Sequence, residues 1–501
     1  DRRRHRRSLR RIRRQGEAEF FLSRPFDAAR YLGLLEGLEA VEIQYSEVFA
    51  GTATQRFDPE YFNRIALLAQ KRLAGSPTLG SCVKEGYRVV YESTDAIDRE
   101  EGIKSGLPFF LQSSDISTPF IDAEAMICVS NSDWERYPKG RIKPGELLIE
   151  VKGKAEKIAI VPDGFPAKTL VTGTCFKLTI KDPDLRYFLT AYLTCKYGQA
   201  LKNRLKTNLL VSYIAKDDLY GLSIPVVSND FIKSIKEVFE HCFALQSTAK
   251  TLLSEANDNL LRALNLETWQ PPSPLSYTRS SADAFTAGRM DAEFFQPKYV
   301  AIRSWLESRF ELKTLSSLGK VTKGVTVPYS ESGEVPIIRS GDLSDIENGA
   351  RFQRAQTTES IFYLERGDIL ISSIGFGSIG KVQVFDKPQQ HGTVSEVTVI
   401  RQKTVNPYFL AAFLRSVAGQ MQIQHYITGA TGQLHLYPKD VATFWVPIIP
   451  KEQQVAFEEL AHQIRDRNTK ANTLLEAAKR AVEIAIEDSE ATALAYLADF
   501  S

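Results

Sequence analysis

The sequence is short of the features that announce several classes of protein. It has no run of about 18 apolar residues, so no membrane-crossing helix is expected. Its arginine-rich start lacks the apolar stretch of a secretory leader, and the expected location is the cytoplasm. Cysteine is scarce: Cys82, Cys128, Cys175, Cys195 and Cys242 form no Cys-x-x-Cys pair, and their number is odd. They are expected to be buried thiols, not a disulfide frame or zinc site. The six histidines (His5, His241, His391, His425, His435, His462) show no metal-ligand spacing, and no metal or other cofactor is expected. A strong excess of one charge is also missing. Net charge is +2, although residues 1–14, with nine arginines and Asp1, alone carry +8. The rest of the chain is therefore net acidic, which excludes a non-specific polyanion coat; any basic surface must be local.

What is present is a repeat. Arg56-Phe57-Asp58-Pro59-Glu60-Tyr61-Phe62 recurs as Arg289-Met290-Asp291-Ala292-Glu293-Phe294-Phe295. Leu79-Gly80 recurs as Leu318-Gly319, and Leu107-Pro108-Phe109-Phe110 as Val335-Pro336-Ile337-Ile338; both copies then reach an aspartate, Asp115 or Asp342. Pro144-Gly145-Glu146-Leu147-Leu148-Ile149 parallels Arg366-Gly367-Asp368-Ile369-Leu370-Ile371, and Lys157–Val161 parallels Lys381–Phe385. Tyr187-Phe188-Leu189 and Gly198-Gln199 return as Tyr408-Phe409-Leu410 and Gly419-Gln420. Each copy closes on a lysine-aspartate pair and an apolar strand, Ile224-Pro225 or Val446-Pro447.

A long helix should follow each copy. The first is expected to start near Ser228, a suitable N-cap, and the second after Pro450. Apolar positions alternate at spacings of 4 and 3: Ile235, Phe239, Cys242, Gln246, Ala249, Leu253, Ala256, Leu260 and Ala263. The second seam is Phe457, Ala461, Ile464, Asn468, Ala471, Leu475, Ala478, Val482 and Ala485. Each is a coiled-coil seam with one polar amide at the same place; packing of each helix on its own globular unit is the alternative. The three prolines of Thr268–Pro274 mark a linker. The expected fold class is therefore mixed α/β (α+β): two similar units separated by two long antiparallel helices, with a pseudo-twofold internal repeat. A helix of about 34 residues spans about 50 Å.

At this level of detail the chain resembles the specificity subunits of Type I restriction-modification systems. The resemblance rests on residues 289–295, Gly-Asp-Ile-Leu-Ile-Ser (367–372), Gly-Ser-Ile-Gly-Lys-Val (377–382) and Val-Asn-Pro-Tyr-Phe-Leu (405–410). It rests also on Thr428–Gln433 leading into Val446–Pro450, and it covers roughly residues 45–490. It implies a basic N-terminal segment (1–44), a target-recognition domain (45–227), a conserved helical region (228–267) and a linker (268–288). A second target-recognition domain (289–450), a second helical region (451–488) and a C-terminal tail (489–501) follow. It further implies a non-catalytic chain that reads a bipartite double-stranded DNA target. Two DNA methyltransferase subunits and a restriction-translocase subunit would dock on it, with no membrane partner. The first copy departs from the family pattern at Lys152–Glu156 and Thr207–Ser212, as two domains with different half-sites would.

Three motifs could instead carry chemistry. Gly375-Phe376-Gly377-Ser378-Ile379-Gly380 fits a nucleotide-binding pattern, but a strand, not a helix, is expected next, so it reads as a glycine hairpin. Glu150-Val151-Lys152, with Asp133 upstream, resembles half of a metal-dependent nuclease site; the second copy has Ser372-Ser373 there. Asn406-Pro407-Tyr408-Phe409 resembles an amino-methyltransferase loop, but no cofactor-binding unit accompanies it, and it reads as a helix cap. A nuclease or methyltransferase with its own recognition domains, and a coiled-coil scaffold for phage defence, are the alternatives.

Sequence reading needs side chains that bridge base edges, with arginine suited to guanine and asparagine or glutamine to adenine. The candidates lie in polar loops at strand ends. In the first copy they are Lys84, Tyr87, Arg88, Gln112, Ser113, Lys152, Lys154, Lys168, Arg204, Lys206, Asn208 and Ser212. In the second they are Lys323, Tyr329, Arg339, Ser340, Arg351, Ser378, Lys381, Gln389, His391, Thr431, Gln433 and His435. The arginine-rich head is either a solvated tail or a phosphate contact. The partner surface is expected at Arg56, Asp58, Glu60 and Phe62 and at Arg289, Asp291, Glu293 and Phe295, unless this motif only seats each unit.

Overall fold

The computed structural model describes residues 27–35, 41–44, 46, 48, 56, 58–206, 212–344, 346, 352–358, 360–375, 377–429 and 434–500. The chain divides into two compact units, Asp1–Lys236 with Lys479–Asp499 and Glu237–Ala478 with Phe500–Ser501. Sheets and helices alternate in both, so the mixed α/β class is borne out.

The two units are built on one strand plan. In the first, an antiparallel sheet runs in the order Val83–Tyr87, Cys175–Ile180, Leu147–Glu150, Ile158–Ile160. In the second, the order is Gly319–Lys323, Val397–Gln402, Ile369–Ser372, Val382–Val384. Each unit adds a second sheet around a parallel pair: Phe109–Leu111 beside Thr169–Val171, and Val335–Ile338 beside Gly392–Thr393. The second unit extends that sheet with Phe362–Tyr363.

The apolar runs have a physical reason. Side chains alternate across a strand, and here both faces are covered. Ile369 and Ile371 join a core with Phe409 and Phe413 of the flanking helix. Leu370, between them, joins the core of the second sheet with Ile337 and Val399. A strand with two dry faces reads as an unbroken apolar stretch.

The turn before this strand is the same in both units. Gly145 (φ 81°) and Gly367 (φ 90°) take a left-handed conformation that strains other residues. The next residue is a buried acid. Glu146 accepts from the Lys143 N–H at 2.8 Å and pairs with Lys177 Nζ at 2.9 Å. Asp368 accepts from the Glu365 N–H at 2.8 Å and pairs with Arg401 Nη2 at 2.7 Å. The acid keeps its place while its cation comes from a different strand position.

Two helices then meet at a corner, Leu185–Thr194 with Lys196–Arg204, and Pro407–Arg415 with Val417–Tyr426. Asn406 caps the second pair as the sequence suggests, its Oδ1 accepting from the Tyr408 N–H at 2.9 Å. Gly198 and Gly419 lie at the corner, where a Cβ would run into the backbone of Tyr192–Leu193 or Phe413–Leu414. The neighbouring Gln199 and Gln420 donate from Nε2 to the Glu156 and Gly380 carbonyls, each at 3.1 Å, tying the corner to the facing hairpin.

The long helices are Asn229–Ala263 and Lys451–Glu487. Ser228 Oγ accepts from the Phe231 N–H at 3.2 Å, as an N-cap should. Within the second unit the two segments run antiparallel. Cys242 Sγ meets the Ala471 carbonyl at 3.4 Å, while Leu260 shares a core with Phe457. Each unit seats its globular part on a long helix in the same way. Phe188 packs on Phe231 (6.2 Å between ring centres) and Phe409 on Phe457 (5.7 Å). Asp184 pairs with Lys236 at 2.9 Å, and Asn406 Nδ2 donates to Glu458 at 2.6 Å. One seam position departs from expectation: Leu253 is 47% exposed. Cys128, Cys175, Cys195 and Cys242 are buried, as expected, and Cys82 is half-buried. Among the described residues no helix is long and apolar enough to cross a membrane.

Candidate nucleic-acid interface

The second sheet of each unit ends its central strand in a short turn of the form x-Ser-x-Asp. In the first unit this is Gln112-Ser113-Ser114-Asp115, and in the second Arg339-Ser340-Gly341-Asp342. The aspartate is buried in both. Asp115 Oδ2 accepts from the Gln112 N–H at 2.8 Å, and Asp342 Oδ2 accepts from the Arg339 N–H at 2.9 Å. A charge-assisted bond to a backbone donor is among the stronger hydrogen bonds, so the turn is rigid in both. A lysine braces it from outside. Lys157 Nζ donates to the Ser113 carbonyl at 2.6 Å, and Lys381 Nζ to Ser344 Oγ, two residues past the second turn, at 2.9 Å.

Several of the expected residues gather here. In the second unit Arg339, Ser340 and Lys381 converge on the turn, and the exposed Tyr329 lies within electrostatic reach of Arg339. Asp342 raises the Arg339 pKa by hydrogen bonding and holds it charged. Ser340 faces inward, its Oγ donating to the Glu396 carbonyl at 3.1 Å. In the first unit Gln112 and Ser113 form the turn. Arg88 and Lys152 meet at Tyr213: the guanidinium lies 4.8 Å from the ring centre, and Lys152 bridges to Tyr213 through the backbone.

Other candidates lie elsewhere. Lys84, Lys154, Lys168, Lys323 and Gln389 are exposed, while Lys206 is half-buried with its carbonyl accepting from Arg56. Ser378 Oγ donates to the Ile374 carbonyl at 2.8 Å inside the glycine hairpin, and His435 pairs with Ile374 and Thr428 beside it. His391 is buried between Phe352 and Phe385, and burial lowers its pKa. Asn208, Arg351, Thr431 and Gln433, with the arginines of residues 1–14, lie outside the described residues. Sequence reasoning missed Lys157 and Tyr213. Lys157 had a signal, since it aligns with Lys381 in the repeat; Tyr213 had none.

The repeated Arg-x-Asp-x-Glu-x-Phe motif has an internal task in each unit. Arg56 and Arg289 pair with Asp58 and Asp291 at 2.7 and 2.8 Å. These pairs lower both carboxyl pKa values, chiefly through the arginine hydrogen bonds. The same arginines donate to the ends of the corner helices: Arg56 to the Arg204 and Lys206 carbonyls, Arg289 to the Ile427 carbonyl. A cation there complements unpaired helix carbonyls. Stacking completes the clamp, with Arg204 over Tyr61 at 4.1 Å and His425 on Phe294 at 4.3 Å. Burial drives the His425 pKa down to about 4, so it stacks as a neutral ring at pH 7. Glu293 accepts from the Tyr299 hydroxyl at 2.6 Å, whereas Glu60 is exposed. Phe62 and Phe295 are half-buried, each edge-on to the aromatic before it.

The residues that could have carried chemistry have structural partners. Glu150 accepts from the Glu156 N–H at 3.1 Å and closes its own hairpin. Among the described residues no group of three or more histidine, cysteine or acidic side chains could hold a metal. The glycine hairpin joins two antiparallel strands, as the sequence suggests.

Residues 307–477 match the family model described as Type I restriction modification DNA specificity domain. No curated protein matches the chain. Among solved structures, the S subunit of a Type I restriction-modification system from M. genitalium is 14% identical, with 85% of this chain and 95% of that one covered and a TM-score of 0.36. The HsdS subunit from Thermoanaerobacter tengcongensis is 13% identical, with 84% and 95% covered and a TM-score of 0.24. The superpositions carry no argument at these scores, and the family model speaks for residues 307–477 alone. By that match residues 307–477 form a Type I restriction modification DNA specificity domain.

Proposed function

We propose that the chain reads a two-part DNA sequence, one part with each unit, and leaves methylation and cleavage to partner subunits. The observation that carries this reading is the duplicated turn. One plan of strands presents one aspartate-fixed, lysine-braced turn in each unit, with a different first residue, Gln112 or Arg339. Identical readers would carry the same residue; two half-sites of different sequence call for a change there and constancy around it. The target-recognition domains are residues 45–227 and 289–450, and the helical regions 228–267 and 451–488 pair as an antiparallel coiled coil.

The partners are two methyltransferase subunits, with a restriction-translocase subunit where the complex cleaves. They dock on the exposed sides of the helical regions, and the repeated clamp at Arg56 and Arg289 sets the angle of each unit. Glu60, exposed beside the first clamp, belongs to that surface. Among the DNA contacts are the turn residues with Lys84, Arg88, Lys152, Lys154, Lys323, Tyr329 and Lys381.

Mapping methylated bases across the source genome tests this. With the gene intact, adenine methylation should fall on a motif of two short blocks separated by unspecified bases. Deleting the gene should remove methylation from that motif, and restoring it should bring the marks back. An unchanged methylation map after deletion would exclude the role.

A further inference from the structure

We propose that Arg339 reads a guanine and Gln112 an adenine, each from the same place in its own half of the target. This deepens the proposed function and rests on it. The two residues are equivalent by geometry as well as by sequence, because each gives its backbone N–H to the buried aspartate three residues on. Holding the turn is therefore the aspartate's task in both units, and the first unit accomplishes it with no arginine. Arg339 is surplus to the turn.

Its side chain is nevertheless held in one pose. Nε donates to Asp342 Oδ2 and Nη2 to Asp342 Oδ1, both at 3.0 Å. Those bonds engage one edge of the guanidinium. The Nη1 edge, with the second Nη2 proton, is the one that Asp342 does not engage. Two parallel N–H donors on that edge match the O6 and N7 acceptors of guanine in the major groove. A buttressed arginine loses little further freedom when it meets its base, so the bond energy goes into discrimination. The side chain is 38% exposed and stands beside the exposed Tyr329. Glutamine at the matched position has one donor and one acceptor at its tip, the pattern that adenine N7 and N6 accept and supply.

The first unit builds the same turn with glutamine at this place, so Arg339→Gln tests recognition and not folding. The experiment selects bound DNA from a pool of randomised duplexes, using the full chain assembled with its methyltransferase subunits. For Arg339→Gln, preference for guanine at one position of one half-site should fall by about ten- to a hundredfold. The other half-site should be unchanged. For Gln112→Arg, one position in the other half-site should move from adenine to guanine. Selection of the wild-type motif by both variants would overturn the inference while leaving the two-part reading intact. Failure of the wild-type complex to select any two-part sequence would overturn the reading itself.

Discussion

At pH 6 the Lys202→Ile chain is expected to unfold at a higher temperature than the parent, and the gain should shrink by pH 9. Lys202 is fully buried, and its Nζ donates to the Ala155 carbonyl at 3.2 Å. Burial, helped by the nearby Lys206, lowers its pKa from 10.5 to about 7. In the unfolded chain the amine keeps its ordinary value. Between pH 7 and 10.5 the folded chain thus binds fewer protons than the unfolded one, and stability rises with pH across that window. Below pH 7 both states are charged, and the folded state bears the full penalty of a buried ammonium. A shift of this size corresponds to about 2–4 kcal/mol after allowing for relaxation around the charge. The lost hydrogen bond returns about 1 kcal/mol of that. The repeat supplies the replacement: four residues after Gly419 stands Ile423, buried in the core of the second unit, where Lys202 stands four after Gly198. For a unit of this size the net gain corresponds to a rise of about 3–10 °C at pH 6. Calorimetric scans at both pH values measure it. Equal gains at pH 6 and pH 9 would show that the amine carries no penalty in the folded chain.

Gly419→Ala should be strongly damaging in the second unit, and Gly198→Ala in the first. Both glycines lie within helices, where alanine is normally the better residue by up to about 1 kcal/mol. Here the added methyl would overlap backbone atoms of Phe413 and Leu414, which cannot rotate out of the way as a side chain can. Those residues belong to a helix whose other side is packed against the sheet, with Phe409, Phe413 and Leu414 buried in one core. The strain has no soft outlet, so the cost should sit at or above the upper end for overpacking, about 3 kcal/mol. The propensity gain offsets only a part of it. Thermal melts followed by circular dichroism should show a midpoint lower by about 5 °C or more. An unchanged or raised midpoint would mean that the helix corner is looser than this packing implies.

The sequence was most legible where a physical requirement recurs. Burial on both faces writes itself as an apolar run, and duplication wrote the runs at Leu147–Ile149 and Ile369–Ile371 twice. Left-handed turns need glycine, so Gly145 and Gly367 marked the same corner. The Gly-Gln pair was visible as a match, but its cause was not. The bond from glutamine to a hairpin carbonyl depends on residues about 40 positions away. Side-chain partners across such separations follow from topology, which periodicity does not encode. For the same reason the Arg-x-Asp motif left docking surface and clamp equally open, and only the carbonyls it reaches reveal the clamp. Leu253 fits its heptad yet stands exposed, since spacing does not record how much of a side chain its neighbours cover. Recognition residues were the least legible. A polar side chain in a loop looks the same in sequence whether it faces solvent, as Lys323 does, or lines a core, as His391 does.

Central to the proposed function is that two equivalent units each read their own stretch of DNA. Sequencing the duplexes retained from a random pool by the assembled wild-type complex tests that claim most directly. The expected result is two short blocks of different sequence, separated by a fixed number of unselected base pairs. A single continuous block, or no selected sequence at all, would contradict it.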